Sequence, residues 1–207
     1  MKSGLKIFFI LLILFFSFVF ILAKSYSDRV FTNISSNFIR LHVVANSDST
    51  EDQIVKYKIR DSVISYLSPY LTSAKSKQQA EKIINDKIQE LYSISDNILK
   101  EEGLNSNIKI SFGNYKFPTK DYSKFILPEG NYDALKIEIG DAVGQNWWCV
   151  MFPSLCVTNN CSFEIGSPTS EEFENNLTAE ELSILTKDTS STDIKIKFKI
   201  LELFENL

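Results

Sequence analysis

The chain has a single histidine, His42, among its 207 residues, and that scarcity excludes every chemistry that needs two imidazoles. H-E-x-x-H metal sites, histidine-rich zinc sites and paired-histidine acid–base catalysis fall away together. Basic residues are not in excess either: 22 Lys plus Arg stand against 26 Asp plus Glu, a net charge of −4, so the electrostatic footprint of a nucleic-acid binder is missing. G-x-S-x-G, a Walker loop, G-x-G-x-x-G and the Asp-Thr/Ser-Gly triplet are absent, and there is no internal repeat. The spacing Asn46-x-Asp48-x-Thr50 with Asp52 imitates the start of a calcium loop. Glu51 stands where that loop needs glycine, and Tyr57 where it needs glutamate. With 44 % hydrophobic and 23 % charged residues, the chain is too apolar to be disordered and too charged for a multi-span membrane protein. Its length suits one compact domain with targeting segments or a tail.

What is present begins at the N-terminus. Lys2 and Lys6 precede Ile7 to Leu22, sixteen residues interrupted only by Ser17, and Ala23-Lys24-Ser25 follows. This is the anatomy of a signal peptide cleaved after Ser25, with small residues at −3 and −1. The run would span about 24 Å as a helix, at the upper edge of signal sequences and just short of a bilayer span, so a retained anchor is the alternative. Without residues 1–25 the chain carries 19 basic and 26 acidic residues, a net −7. That acidity is local: residues 26–158 hold 15 basic and 16 acidic residues, whereas 159–193 hold Lys187 against eight acids.

The run Phe38 to Ala45 is apolar and β-branched and predicts a strand ending in the turn Asn46-Ser47-Asp48-Ser49. A helix follows, capped by Ser49 or Thr50, with Val55, Ile59, Val63 and Leu67 at helical spacing up to a break at Pro69. A second helix over Ser76 to Glu102 places Ala80, Ile84, Ile88, Leu91 and Ile98 on one face, with Gly103 as its C-terminal cap. Its 27 residues would run about 40 Å, and a break is expected near Ser93-Ile94-Ser95-Asp96. Ile108, Ile110 and Phe112, then Leu135, Ile137 and Ile139, alternate as half-buried strands, and Trp147 to Phe152 is a third apolar run. The order implies an α+β domain, with two amphipathic helices packed on a mainly antiparallel sheet behind an N-terminal signal or anchor segment. The expected divisions are 1–25 for that segment, 26–158 for the globular domain, 159–193 for an acidic linker and 194–207 for a C-terminal strand or apolar tail. Within the linker, Thr178 and Glu181 offer a capping box before Leu182 and Leu185; Ile194 to Ile200 alternates at period two.

Three cysteines, Cys149, Cys156 and Cys161, sit in a chain with an export signal, which favours a disulfide. Pairing Cys149 with Cys156 closes a short loop worth roughly 2.5 kcal/mol by chain entropy and leaves Cys161 over. A three-cysteine zinc site is the other option, although no C-x-x-C supports it. A catalytic cysteine would have only His42 to activate it, and that lone imidazole, set between Leu41 and Val43, suits a structural role better than general-base catalysis. Trp147-Trp148 on a strand points one indole to each face, so one can be core and the other a binding anchor.

Taken together, Ile39 to Ser49 followed by Asp52-Gln53, Lys56 and Ile59-Arg60-Asp61 resembles the N-terminal signature of the stage II sporulation protein R family. Phe117-Pro118-Thr119-Lys120, Pro128-Glu129-Gly130 with Tyr132, and Asn146-Trp147-Trp148-Cys149-Val150-Met151-Phe152-Pro153 with Leu155-Cys156 resemble its second hallmark in order and spacing. The resemblance covers about residues 38–158. It implies a signalling protein and not an enzyme, without cofactor, metal or nucleic acid. Such proteins are made in the forespore and exported into the space between forespore and mother cell. There they activate a membrane-embedded aspartic protease that cleaves the precursor of sigma E. The expected receptor-facing residues are Arg40, Asn46, Ser47 and Asp48 of the polar turn and an aromatic anchor from Trp147 or Trp148, with a bridge between Cys149 and Cys156 holding that segment rigid. Read locally instead, Asn46 to Ser49 is a turn with Asx bonds and a helix cap. The competing classes are an exported cell-wall hydrolase, for which Asp48, Asp52 or Asp61 could pair as carboxylates, and a wall- or membrane-binding module.

Overall fold

The computed structural model describes residues 2–122, 125–153, 177–178 and 185. Helix α1 runs unbroken over Lys2–Ser36. Its apolar stretch is long enough to cross a membrane by length and composition, and none of that window is buried in the protein. The boundary expected after Ser25 therefore falls inside a helix. One turn apart beyond it, Val30 and Ile34 are buried, so the end of α1 belongs to the folded domain.

Strand β1 (Ile39–Val44) is buried along its whole length. The helices α2 (Thr50–Thr72), α3 (Lys77–Asp86) and α4 (Ile88–Glu101) follow, then β2 (Ile108–Phe117), a small hairpin of β3 (Lys120–Asp121) and β4 (Ile126–Leu127), β5 (Gly130–Ile139) and β6 (Asn146–Phe152). The four long strands form one sheet in the order β2-β5-β1-β6. β2 pairs antiparallel with β5, β1 antiparallel with β6, and the central β1 and β5 run parallel. This is the expected α+β class with a mainly antiparallel sheet. The parallel pair is made possible by the three-helix crossover between β1 and β2.

Two details of the helices depart from expectation. α2 does not stop at Pro69 but continues to Thr72. Proline there forfeits one backbone hydrogen bond, and the extra turn buries Leu71 below Leu67, which offsets that loss. The second expected helix is two helices, and it breaks at Lys87 instead of at Ser93–Asp96. Ser93 and Ser95 donate their hydroxyls to the carbonyls of Gln89 and Leu91, four residues back, so α4 absorbs both serines without breaking. Its end is as expected: Gly103 sits at φ +70°, and the N–H groups of Gly103 and Leu104 donate to the Lys100 and Leu99 carbonyls. Three helices, not two, cover this face.

Alternation along the strands makes two cores. Ile39, Leu41, Val43, Leu135, Ile137, Ile139, Cys149 and Met151 face the three helices. On the opposite face Tyr132, Ala134, Phe117 and Val150 meet Val30 and Ile34 of α1, Phe125 to Leu127 of the hairpin, and two outlying residues, Leu177 and Leu185. Those two leucines lie in the segment expected to be an acidic linker, and both are buried. Cys156, Cys161 and the alternating run 194–200 lie outside the described residues.

Candidate partner-binding site at the sheet edge

The residues expected to form one recognition surface are divided by the fold among three places. Arg40 is on the second face of β1 and is fully buried, so it is not part of a partner-facing surface. Its guanidinium lies over the rings of Phe117 (4.2 Å) and Tyr132 (4.9 Å) and donates from Nη2 to the Tyr122 hydroxyl at 2.5 Å. Nε and Nη1 find no hydrogen-bond partner among the described residues, and burial lowers the pKa of the group. The physical reason for the correction is that α1 and the β3–β4 hairpin cover a face that strand alternation alone leaves open.

Asn46, Ser47 and Asp48 form the second place, and they act as a structural lock. The Asp52 carboxylate accepts from Ser47 Oγ at 2.5 Å and Asn46 Nδ2 at 3.0 Å, which holds its pKa below the ordinary carboxyl value, the Ser47 bond contributing most. Asn46 Oδ1 accepts from the Asp141 N–H and Asp48 Oδ1 from the Gln145 N–H. Ser49 caps α2 by accepting from the Asp52 N–H at 3.1 Å. The turn is thereby tied to the β5–β6 connection. Gly144 there approaches so closely that an added Cβ would lie 2.2 Å from the Ser47 carbonyl oxygen. Asp61 is paired with Arg60 at 2.6 Å. A carboxyl held low, as in Asp52, suits an acceptor and not a general acid.

The tryptophans make the third place. Among the described residues β6 is an edge strand, and its two indoles straddle the sheet as expected, both half-buried. Trp148 lies against the His42 ring, centroids 3.7 Å apart and planes 15° from parallel, with Phe117 edge-on at 4.8 Å. His42 Nε2 is 2.6 Å from Asn146 Oδ1, and burial lowers the imidazole pKa against the smaller opposing effect of that bond. On the other face Trp147 meets Tyr57 of α2 edge-on at 5.6 Å, and the Arg60 guanidinium lies 4.2 Å over its ring. Lys56 is buried beside this group, donating to Gln53 Oε1 and the Gln145 carbonyl.

Sequence reasoning missed Ile54 and Tyr57 of α2, which are 48 % and 37 % exposed, Tyr57 lying edge-on to Trp147. The available signal is two apolar side chains, three residues apart, off the helix stripe that carries Val55, Ile59 and Val63. Cys149 is buried in β6.

Fold and site thus define an α+β domain carried behind an N-terminal apolar helix, with an aromatic edge strand as its distinctive surface. The family model for stage II sporulation protein R matches residues 35–162. Stage II sporulation protein R of Bacillus subtilis (strain 168) is 33 % identical over 164 residues, spanning 79 % of this chain and 72 % of that protein. The chain belongs to the stage II sporulation protein R family. No solved structure matches it.

Proposed function

We propose that this chain is an exported signal of endospore formation. Made in the forespore, it binds a membrane-embedded aspartic protease of the mother cell and so triggers cleavage of the sigma E precursor. Membership of the family supports the sporulation role. The observation that carries the binding role is the pair Trp147 and Trp148, half-buried on either face of β6 and each backed by a cation or imidazole that fixes its ring. Rigid aromatic anchors of this kind supply most of the energy of protein interfaces. The apolar N-terminal helix supports delivery through, or retention at, a membrane.

To activate, the chain must bind the active state of the protease more tightly than the inactive one, because only differential affinity shifts a population. A stiff surface serves that purpose, since little binding energy is lost in ordering it. Cys149 is disulfide-bonded, and we assign Cys156 as its partner, a bridge that ties the middle of β6 to the segment after it. The test is co-expression of the exported chain with the protease and the sigma precursor in a non-sporulating host. Cleavage that requires the chain, and is lost when residues 1–25 are deleted, supports the reading. No cleavage with all three proteins folded, together with turnover of purified cell wall by the chain, would replace it with the hydrolase reading.

A further inference from the structure

α1 carries a large apolar surface that nothing among the described residues covers. Every residue from Ile7 to Phe16 is an exposed large hydrophobic, and a run of that length occupies all faces of a helix. A helix without a polar face does not lie along a membrane surface, which needs one side in water. Ser17, the polar interruption of the run, donates its hydroxyl to the Ile13 carbonyl at 2.8 Å, so its donor is satisfied within the helix. Gly4 to Ala23 gives about 30 Å of helix, the thickness of a bilayer core, because the Lys6 stem lets its ammonium reach the headgroups. Just beyond, Tyr26 is exposed and the Arg29 guanidinium lies 6.0 Å over its ring, an aromatic and a cation at the depth of the interface.

The same helix is part of the domain. Ser27, Val30 and Ile34 are buried. Phe31 packs edge-on to Tyr132 at 5.6 Å and so close to Gly130 that an added Cβ there would fall within its ring. Asn37 closes the helix, its N–H donating to the Ile34 carbonyl and its Nδ2 to the Asn33 carbonyl, and β1 starts two residues later. Ser27 comes only about 6 Å after Ala23 along the axis, so no spacer separates the span from the fold.

We propose that α1 is a retained, uncleaved stalk: it crosses the bilayer of the exporting cell and continues without a hinge into the second core, holding the domain against the membrane surface. The proposal rests on the export reading above and names the state in which the signal acts, a membrane-bound ligand. Cleavage after Ser25 would cut this helix next to its docked end and leave a positive amino terminus on an uncapped helix start, unfavourable on both counts. The dock and the tryptophans lie at opposite ends of the sheet. Phe31 sits where β5 begins, at Gly130, whereas Trp148 pairs with His42 at the level of Lys136, about 20 Å further along.

The test uses the full chain, exported in a bacterial host. Membranes are washed with alkaline carbonate and the intact mass is measured. Amide exchange is then read in nanodiscs of phosphatidylethanolamine and phosphatidylglycerol. Expected are a chain held in the washed membranes at its full mass, and exchange of the Lys24 to Ile34 amides at least a hundredfold slower than in an unstructured peptide. Phe31→Ala should speed the Ser27 to Ile34 amides at least tenfold and leave those of Ile7 to Leu22 unchanged; no change in either stretch overturns the docking. A soluble chain that starts at Tyr26 overturns the stalk. Exchange at free-chain rates over residues 23–27 also overturns it, leaving an anchor on a hinge. A full-length chain that stays soluble as an oligomer does the same, with α1 packed on other copies. Precursor cleavage, scored in parallel, separates the two readings: cleavage by a processed, soluble chain strikes the stalk and keeps the signal, and a membrane-held chain that triggers none strikes the signal and keeps the stalk.

Discussion

The His42 imidazole and the Trp148 indole lie face to face at 3.7 Å, directly opposite each other on the paired strands β1 and β6. The stack couples the titration of the chain's one histidine to the orientation of an indole at the sheet edge. Burial depresses the His42 pKa from its ordinary 6.5. The unfolded chain therefore takes up this proton at a higher pH than the folded one, and stability is lost as pH falls below about 6.5. His42→Phe keeps a flat ring against Trp148 and removes the titration. Thermal melts at pH 7.5 and pH 5.5 should show the wild-type Tm dropping more between the two than that of the variant.

Arg40 is a buried cation with two nitrogens that find no partner among the described residues, so its charge contributes less than its bulk. Replacement by methionine, which keeps the volume and removes the desolvated charge, is expected to cost under about 1 kcal/mol or to stabilise. Arg40→Ala should lose about 2–4 kcal/mol through the cavity left among Phe117, Tyr122 and Tyr132. Tyr122→Phe should cost about 1.5–3 kcal/mol, because it takes away the acceptor of the remaining guanidinium N–H. Urea denaturation of the three variants checks the order.

Gly144 is a point of backbone contact between the β5–β6 connection and the turn before α2. A methyl group there meets the Ser47 carbonyl at 2.2 Å, and backbone on one side must move. Gly144→Ala is expected to lower stability by about 1–3 kcal/mol, measured by denaturant titration. The same shift should break the bond from the Gln145 N–H to Asp48, visible as faster exchange of that amide.

Removing the hydroxyl of Ser49 should cost about 1 kcal/mol as Ser49→Ala, the ordinary value of an N-cap. Ser95→Ala should be nearly neutral, since the Ser95 hydroxyl only adds a second bond to a carbonyl within its own helix. Circular-dichroism melts distinguish the two.

Local structure was legible wherever one residue's chemistry decides it. Ser49 and Gly103 cap the helices they were expected to cap, and the period-two pattern at Leu135, Ile137 and Ile139 marks the buried face of β5. Relations between distant segments were not legible. Nothing in Phe38 to Ala45 distinguishes a parallel from an antiparallel neighbour, so the β1–β5 pairing is a property of the crossover. Arg40 reads as a partner-facing residue only until α1 and the β3–β4 hairpin are seen to close over the second face of β1. The polar turn read first as an Asx turn with a helix cap and, through the family resemblance, as a recognition loop. Its hydrogen bonds to residues 141 and 145, nearly a hundred positions away, make it a lock. Of the residues singled out for recognition, the two tryptophans lie half-buried on the two faces of β6, and Tyr57 and Ile54 were legible only as apolar residues off the stripe that α2 turns to the core.

In the proposed function the protease reads the tryptophan pair of β6. The most direct measurement is the affinity of Trp147→Ala and Trp148→Ala for the detergent-solubilised protease, beside an Arg40→Met variant altered only in the interior and with each fold checked by its melt. At least a tenfold loss for one or both tryptophan variants, which is about 1.4 kcal/mol or more, and none for Arg40→Met is the predicted result. Full affinity in both tryptophan variants would place the partner-binding surface elsewhere on the domain.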